Sequence, residues 1–551
     1  MSEGIGTMQR LKHWLSEDLQ RKYREQGLWT GDTALDVWEA RAADRPGKTL
    51  VTEGDGTSIT YGEADEAANR LAAWLREDAE VEPLDVVSIQ LPNWIEFFVA
   101  SIACFKLGAV IHPLSRDFGE AELKYALELV GSKALICPVS FHKRVYENEA
   151  VHLLATVPSL RTALVVEKGA RARSGLPTMS EALGAQDGSP VRFPEGSVLS
   201  SDPLAVLLTS GTTGRPKAVA LSHDGILNSV RSFWKRLDLG EDDVMFMPAP
   251  LNHATGFDYA VVGPIDAGGS IVLQERFRAP EALEIMRKQR ITCSMGATPF
   301  IHDFIELMEK GEGKPADWKL YVCGGAPVPG SLVKRAARFG VTLCECYGLT
   351  ETGAHVIVPP KEAIEWDGRF SGSPIDGVEI DAVDEHGRSV GRRVVGEEVS
   401  RGPNVFLGYL NNPEATAEAT RGGWFHSGDL GEIDEHDRLS IRGRMKEILV
   451  RGGENIAFAE VEEGIEGCPW FEDFAAGSAK DERLGERIAL YVVPADGADA
   501  PTVAELQRYL EERNVPKRLW PERIMSVPRI PRTESGKVRR WQLTAYDNMS
   551  E

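Results

Sequence analysis

The sequence predicts an α/β protein with a large amino-terminal unit and a small α+β carboxy-terminal one, and three observations carry that prediction. Strand and helix segments alternate from about residue 33 to 446, joined by short connections containing Gly and Pro. The 551-residue length exceeds what one hydrophobic core serves. After Lys446 the grammar changes to a strand over 448–451, a glycine turn, a helix over 459–466, a strand over 487–493 and a helix over 503–513. These fill a compact unit of about a hundred residues, a normal domain size. Domains are therefore expected over 1–445 and 446–551.

Within the larger unit the apolar spacing predicts a helix over 63–77, a strand over 85–90, a helix over 94–107 and a strand over 133–137. The most apolar region, 94–114, is broken by Glu96, Lys106 and His112, so it reads as a buried helix running into a strand and not as a membrane span. Residues 168–200, rich in Gly, Ser and Pro, are expected to link parts of the same unit. Short alternating strands over 380–408 have turns at Asp384-Glu385-His386-Gly387 and Arg401-Gly402-Pro403-Asn404, the texture of a small β-barrel.

With 62 Lys and Arg against 84 Asp and Glu, the formal net charge is −22. No global field attracts nucleic acid or anionic lipid, so an anionic ligand must be held by local donors. The amino-terminal region mixes Glu3, Glu17 and Asp18 with basic residues and lacks the apolar core of a signal peptide. The seven cysteines are scattered without Cys-x-x-Cys spacing. Both features argue for a cytoplasmic protein. Cys344 and Cys346 share one face of a strand, but two thiols do not make a zinc site.

Chemistry concentrates in a few segments. Val206, Leu207 and Leu208 read as a buried strand that ends in Thr209-Ser210-Gly211-Thr212-Thr213-Gly214-Arg215-Pro216-Lys217. Glycines there let backbone N–H groups approach an anion, the hydroxyls add neutral donors, and Lys217 adds charge. This is a phosphate-holding loop, though not a Walker A motif, because Pro216 precedes the lysine and Ala218 follows it. Tyr347-Gly348-Leu349-Thr350-Glu351-Thr352 follows the expected strand 342–346, at the end where open α/β sheets bind ligands. It offers a ring to stack on a base, a hydroxyl for phosphate and a carboxylate for Mg2+, a hard ion that prefers oxygen. Asp429, after a sharp turn, suits two ribose hydroxyls. Arg444, Lys446, the Gly452-Gly453 loop and Lys537 complete the set. Taken singly, these residues also fit a surface turn, an exposed hairpin Glu, an Asp closing a β-turn and solvated lysines.

Taken together and in order, from Leu35-Asp36 and Thr60-Tyr61 to Pro531-Arg532-Thr533-Glu534-Ser535-Gly536-Lys537, the segments resemble the adenylate-forming superfamily. That superfamily includes acyl-CoA synthetases, peptide-synthetase adenylation domains and luciferases. Met247 to Gly256 and Arg451 to Ile456 resemble the fatty, medium-chain and alicyclic acyl-CoA synthetases in particular. The resemblance implies two α/β sheets plus a small β-barrel in the first domain, a mobile second domain, and ATP, Mg2+ and CoA as ligands. It implies that Thr209 to Lys217 embrace the phosphates while Gly324, Gly325 and Ala326 with Tyr347 form the adenine slot. Thr350 would contact the α-phosphate, Glu351 would take Mg2+, and Asp429 with Arg444 would fix the ribose. Lys537 would bridge the acid and the α-phosphate. Lys446 would be the hinge that withdraws Lys537 and brings Gly452-Gly453 to the thiol channel. His253 would gate that channel. The leading implication is an ATP-dependent acid–thiol ligase that makes an acyl-CoA through an acyl-AMP; the alternative is an adenylating enzyme with a carrier-protein thiol or an amine as acceptor, as in relatives from natural-product pathways that resemble activators of nitrous acid for transfer to an aryl amine. A non-catalytic nucleotide-binding homologue is disfavoured by the joint presence of Lys537, Glu351 and Asp429.

Two positions depart from the family pattern. Ala218 replaces the usual glycine after the lysine, a change without consequence if its φ is negative. Asp258, five residues after His253, stands where close fatty-acid enzymes are expected to be apolar. A buried carboxylate needs a partner: His355, on another pocket-lining position, is one candidate, and an acid bearing an amine or hydroxyl is the other if Asp258 faces the substrate, whereas a solvent-facing Asp258 needs neither. By the same resemblance Phe257, Thr298, Phe300, Cys346 and Ala354 form the rest of the pocket wall.

Overall fold

The computed structural model describes residues 11–209, 216–325, 328–445, 447–451, 454–481, 485–495, 500–513, 515–532 and 536–547. The chain divides into two compact units, one of residues 1–379 and 401–425, the other of 380–400 and 426–551.

The first unit holds a nine-stranded and a seven-stranded sheet. In the larger, Thr342–Leu349, Leu320–Gly324, Cys293–Gly296, Val244–Met247, Ser270–Leu273 and Thr49–Thr52 run parallel in that spatial order. Their carboxyl ends open into His253, Thr298, Gly325 and Thr350, so one sheet edge gathers most of the expected site. In the smaller sheet, Gly408–Tyr409, Lys217–Ser222, Pro203–Thr209 and Val110–Pro113 are successive neighbours.

Local sequence explains the helices. Thr60 and Glu63 form a capping box that starts Tyr61–Asp78, satisfying amides that a helix start leaves unpaired. The buried helix Ile95–Leu107 runs into the strand Val110–Pro113 as expected. It stops at Gly108, whose φ is 65° and whose added Cβ would lie 2.4 Å from Val198 Cγ2. Val198 belongs to the stretch expected to be a linker. That stretch is more than a linker: it carries the helix Met179–Ala185 with its own capping box, and Val191, Phe193 and Val198 are buried. All seven cysteines are buried and unbridged. No helix among the described residues is long and apolar enough to cross a membrane.

The second unit has a four-stranded sheet of Glu379–Val383, Gly396–Arg401, Phe425–Ile433 and Leu439–Arg444 in that order. The alternating strands expected from residue 380 lie here, except that Gly408–Tyr409 pairs with Lys217–Ser222 in the first unit. A second sheet joins Glu454–Ala457, Ile448–Arg451, Gly485–Pro494, Phe471–Asp481 and Arg523–Ser526. Leu449, Ile456, Val461, Ile465, Leu490, Leu506 and Leu510 form its core with the helices Phe458–Ile465 and Val503–Glu512. The helix Arg540–Asp547 is tied in by the Arg540 guanidinium, which is 2.9 Å from Glu462 and 3.5 Å from Glu447.

Candidate functional site

Lys217, expected to hold phosphate, stands at the mouth of a hairpin. Pro203–Thr209 and Lys217–Ser222 pair antiparallel with Thr209 opposite Lys217, so the chain leaves and re-enters the sheet at one point. Ser210, Gly211, Thr212, Thr213 and Gly214 lie outside the described residues. Ala218 sits in the returning strand opposite Leu208 and outside the positive-φ region, so glycine is not required there.

Lys217 Nζ stands 4.3 Å from the centroid of the Tyr409 ring, and the Tyr409 hydroxyl donates to Glu351 Oε1 at 2.8 Å. A cation, an aromatic ring and a carboxylate thus form one array. Burial first, and then the Glu351 charge, hold the Tyr409 phenol well above its ordinary pKa, which keeps the hydroxyl a donor. Glu351 is only 7 % exposed, so it is not a solvent-facing turn carboxylate. Its carbonyl accepts from the Phe406 amide at 2.8 Å.

The strand that carries Tyr347 continues further than expected. Tyr347, Gly348 and Leu349 remain in Thr342–Leu349 and pair antiparallel with Gly353–Ile357, leaving Thr350-Glu351-Thr352 as the turn. Gly348 is mandatory, since a Cβ there would lie 1.8 Å from the Gly353 carbonyl oxygen. Beside it Gly324 ends its strand opposite Cys346; a Cβ on Gly324 would come to 3.1 Å from Cys346 Sγ. Gly325 follows with φ 82°, and Ala326 lies outside the described residues.

Of the residues expected to line the acid pocket, His253 is the N-cap of a short helix, Ala254–Gly256. The chain then winds one π-helical stretch, Phe257–Val262, closed by the Gly263 amide donating to the Asp258 carbonyl. Gly256 permits the tight entry, because a Cβ would fall 2.1 Å from the Pro250 carbonyl oxygen. Tyr259 fastens the π-turn to the hairpin: its hydroxyl bonds Ser229 Oγ at 2.8 Å and accepts from the Ala354 amide. Phe300 packs against Phe277 with centroids 4.5 Å apart, and Thr298 hydrogen-bonds the Cys323 thiol. Phe257, Cys346 and Ala354 are buried.

Asp258 and His355 do not pair. The His355 ring packs edge-to-face on Tyr347, centroids 5.2 Å apart, and its Nδ1 lies 3.4 Å from the Gly353 carbonyl oxygen. Burial pushes Asp258 up to about 8. Glu345 is likewise pushed up to about 8 by burial, against the opposing hydrogen bonds from Ser371 and Val328. A carboxyl raised in the folded state binds more protons there than in the unfolded chain, whose carboxyls titrate near about 4. Its stabilising effect is complete below that value and is lost as the pH rises through about 8. Melting temperature should therefore fall less steeply between pH 4 and 8 in Asp258→Asn than in the wild type. An identical slope would mean that Asp258 ionises like an exposed residue.

In the second unit, Asp429 and Arg444 face each other across Phe425–Ile433 and Leu439–Arg444, with Arg444 Nε 3.2 Å from Asp429 Oδ1. Gly428, at φ 72°, makes the turn expected before the aspartate. Ser427 Oγ then accepts from the Asp429 amide at 3.0 Å and donates to the Glu398 carbonyl at 2.7 Å. Lys446, Gly452 and Gly453 lie outside the described residues. Lys537 is exposed on a hairpin in which Arg532 and Val538 bridge. The Arg532 guanidinium clamps that hairpin, donating to the Gly536 carbonyl at 3.0 Å and to Asp473 at 2.7 Å. Sequence reasoning missed Tyr409, Asp473 and the clamping role of Arg532. Of these only Arg532 lay inside a quoted motif.

The AMP-binding enzyme family profile matches residues 38–410, and the profile of the AMP-binding enzyme C-terminal domain matches 460–537. A medium-chain fatty-acid–CoA ligase of Escherichia coli is 36% identical over 529 residues, covering 96% of this chain and 93% of the relative. Among solved structures, ATP-bound MatB from Rhodopseudomonas palustris superposes with a TM-score of 0.83 at 26% identity, covering 94% of this chain and all of the other. The O-succinylbenzoate coenzyme A synthetase of Bacillus subtilis, in complex with ATP and a magnesium ion, gives a TM-score of 0.78 at 26% identity, covering 92% and 99%.

Proposed function

The chain belongs to the AMP-binding enzyme family, and from that premise we propose that it joins a carboxylic acid to the thiol of CoA by way of an acyl-adenylate. The observation that carries this reading is the Lys217–Tyr409–Glu351 array at the ends of the strands that bear the phosphate loop and Thr350. Its residues offer a cation for phosphate and a fixed carboxylate oxygen for a hard ion. The name of the Escherichia coli relative supports CoA as acceptor.

In the first half-reaction an oxygen of the acid attacks the α-phosphorus of ATP and the bond to pyrophosphate breaks. In the second, the thiol sulfur attacks the acyl carbon and AMP leaves. Positioning and charge neutralisation are what the protein supplies. Thr209 to Lys217 hold the phosphates, Gly324 to Ala326 and Tyr347 receive the adenine, and Thr350 donates to the α-phosphate. Asp429 accepts from the ribose hydroxyls with Arg444 beside it. Lys537 neutralises charge between the acid and the α-phosphate, a role suited to a mobile point charge. Mg2+, held through Glu351, would supply Lewis-acid charge to the phosphate oxygens.

Lys537 is needed only in the first half-reaction, so the 446–551 domain rotates about Lys446 between steps, presenting Gly452-Gly453 to the thiol while His253 gates its channel. Proline at 446 fixes φ at the residue that absorbs this change. Lys446→Pro should therefore keep pyrophosphate exchange and lose most thioester synthesis. If both activities survive undiminished, the hinge is elsewhere.

The reading is tested by acid-dependent pyrophosphate release over aliphatic and aromatic acids and nitrite, with and without CoA. Release that is independent of any acid, or a product that lacks the CoA thioester, would overturn the corresponding half.

A further inference from the structure

Among the described residues Asp258 makes no interaction that accounts for its burial. Its side chain is 2 % exposed, and its Oδ1 meets no hydrogen-bond donor among the described residues. Buried polar atoms are nearly always satisfied, so an orphan in a native site points to an absent partner. The local backbone is unusual as well. Asp258 lies in the π-helical stretch Phe257–Val262, a widened winding that occurs mostly as single turns and is frequent at functional sites.

The turn is held by its neighbours and not by Asp258. Tyr259 bonds Ser229 and the Ala354 amide, and Gly353 and Ala354 directly follow Thr350-Glu351-Thr352. The segment that carries the orphan carboxyl is thereby fastened to the hairpin that carries the adenylation residues. At the other end of the turn Trp234 Nε1 also lacks a hydrogen-bond partner among the described residues. It abuts Gly263, where a Cβ would come within 2.5 Å of it, and Gly263 closes the turn on the Asp258 carbonyl. An orphan acceptor therefore lies in the π-turn, and an orphan donor abuts the glycine that closes it.

We infer that Asp258 accepts a hydrogen bond from a hydroxyl or amino substituent on the tail of the acid, so that the enzyme selects polar-substituted acids over plain ones. This inference rests on the adenylation reading above. A site built to bond a donor discriminates strongly against the analogue that lacks it, because its own acceptor is then left unpaired.

The test measures acid-dependent pyrophosphate release for matched acids: benzoate with its monohydroxy and monoamino counterparts at each ring position, and octanoate with its ω-hydroxy and ω-amino counterparts. The wild type should favour at least one polar member over its plain partner. In Asp258→Leu that preference ratio should fall by roughly ten- to a hundredfold. Asp258→Asn keeps the volume and one acceptor oxygen, so it should retain a hydroxyl preference while losing more of an amino preference; it also decides the matter if the leucine variant does not fold. Equal ratios in the wild type and the folded variants, with pyrophosphate still released, would overturn the role of Asp258 and leave adenylation standing. Absence of acid-dependent release from the whole set would overturn the adenylation reading, and this inference with it.

Discussion

Lys537→Ala should lower acid-dependent pyrophosphate exchange by about 10²–10³, the cost of one preorganised charged donor, while thioester formation from a supplied acyl-adenylate stays near the wild-type rate. The asymmetry follows from when charge develops. On the proposed mechanism negative charge builds between acid and α-phosphate only in the first half-reaction, so only that step needs an added cation. Lys537 is exposed, and its hairpin is held by Arg532 through the Gly536 carbonyl and Asp473, contacts that alanine at 537 leaves in place. Melting temperature should move little, since surface substitutions away from such clamps usually have small effects. Equal loss in both half-reactions would remove Lys537 from the adenylation step.

Signals confined to neighbouring residues were legible in the sequence. The apolar run 206–208 lies in the strand Pro203–Thr209, the expected helix over 63–77 is Tyr61–Asp78, and the glycine before Asp429 does adopt positive φ. Contacts between distant residues were not. Tyr409 meets Glu351 across 58 positions, and nothing in the local pattern of Gly408-Tyr409 announces that its strand joins the phosphate hairpin. The longest strand of the second unit, Phe471–Asp481, was also missed. Its middle reads Ala475-Ala476-Gly477-Ser478-Ala479, small residues with weak strand preference, and its place is set by pairing along Gly485–Pro494. The adjacent glycine explains part of that choice: a Cβ at Gly477 would come within 2.9 Å of the Tyr491 ring. The π-turn at Asp258 was hidden for another reason, since a period of five hydrogen-bonded residues over one turn leaves no repeat to detect. Asp258 itself was legible as an anomaly, but its relation to His355 was not, because the His355 ring is engaged by Tyr347.

Glu351→Gln tests the other end of the array and should also cost about 10²–10³ in pyrophosphate exchange, in the range seen for loss of a single electrostatic stabiliser. Glutamine keeps the length of the side chain and an oxygen that can accept from the Tyr409 hydroxyl, so the 2.8 Å contact and the packing around it have a substitute. What disappears is the negative charge. A hard divalent ion depends on charged oxygen ligands more than on neutral ones, so raising Mg2+ should recover part of the activity in the variant and little in the wild type. Lys217 sharpens the expectation. Its ammonium, 4.3 Å from the Tyr409 ring centroid, would face a neutral amide across the ring in place of a carboxylate, leaving the array more positive and so more attractive to phosphate in the absence of metal. Affinity for ATP measured without Mg2+ should therefore hold or rise, while the rate with Mg2+ falls. A variant that lost both together, with its melting temperature lowered, would show that Glu351 serves the hairpin fold through Tyr409 and Phe406 and does not serve the metal.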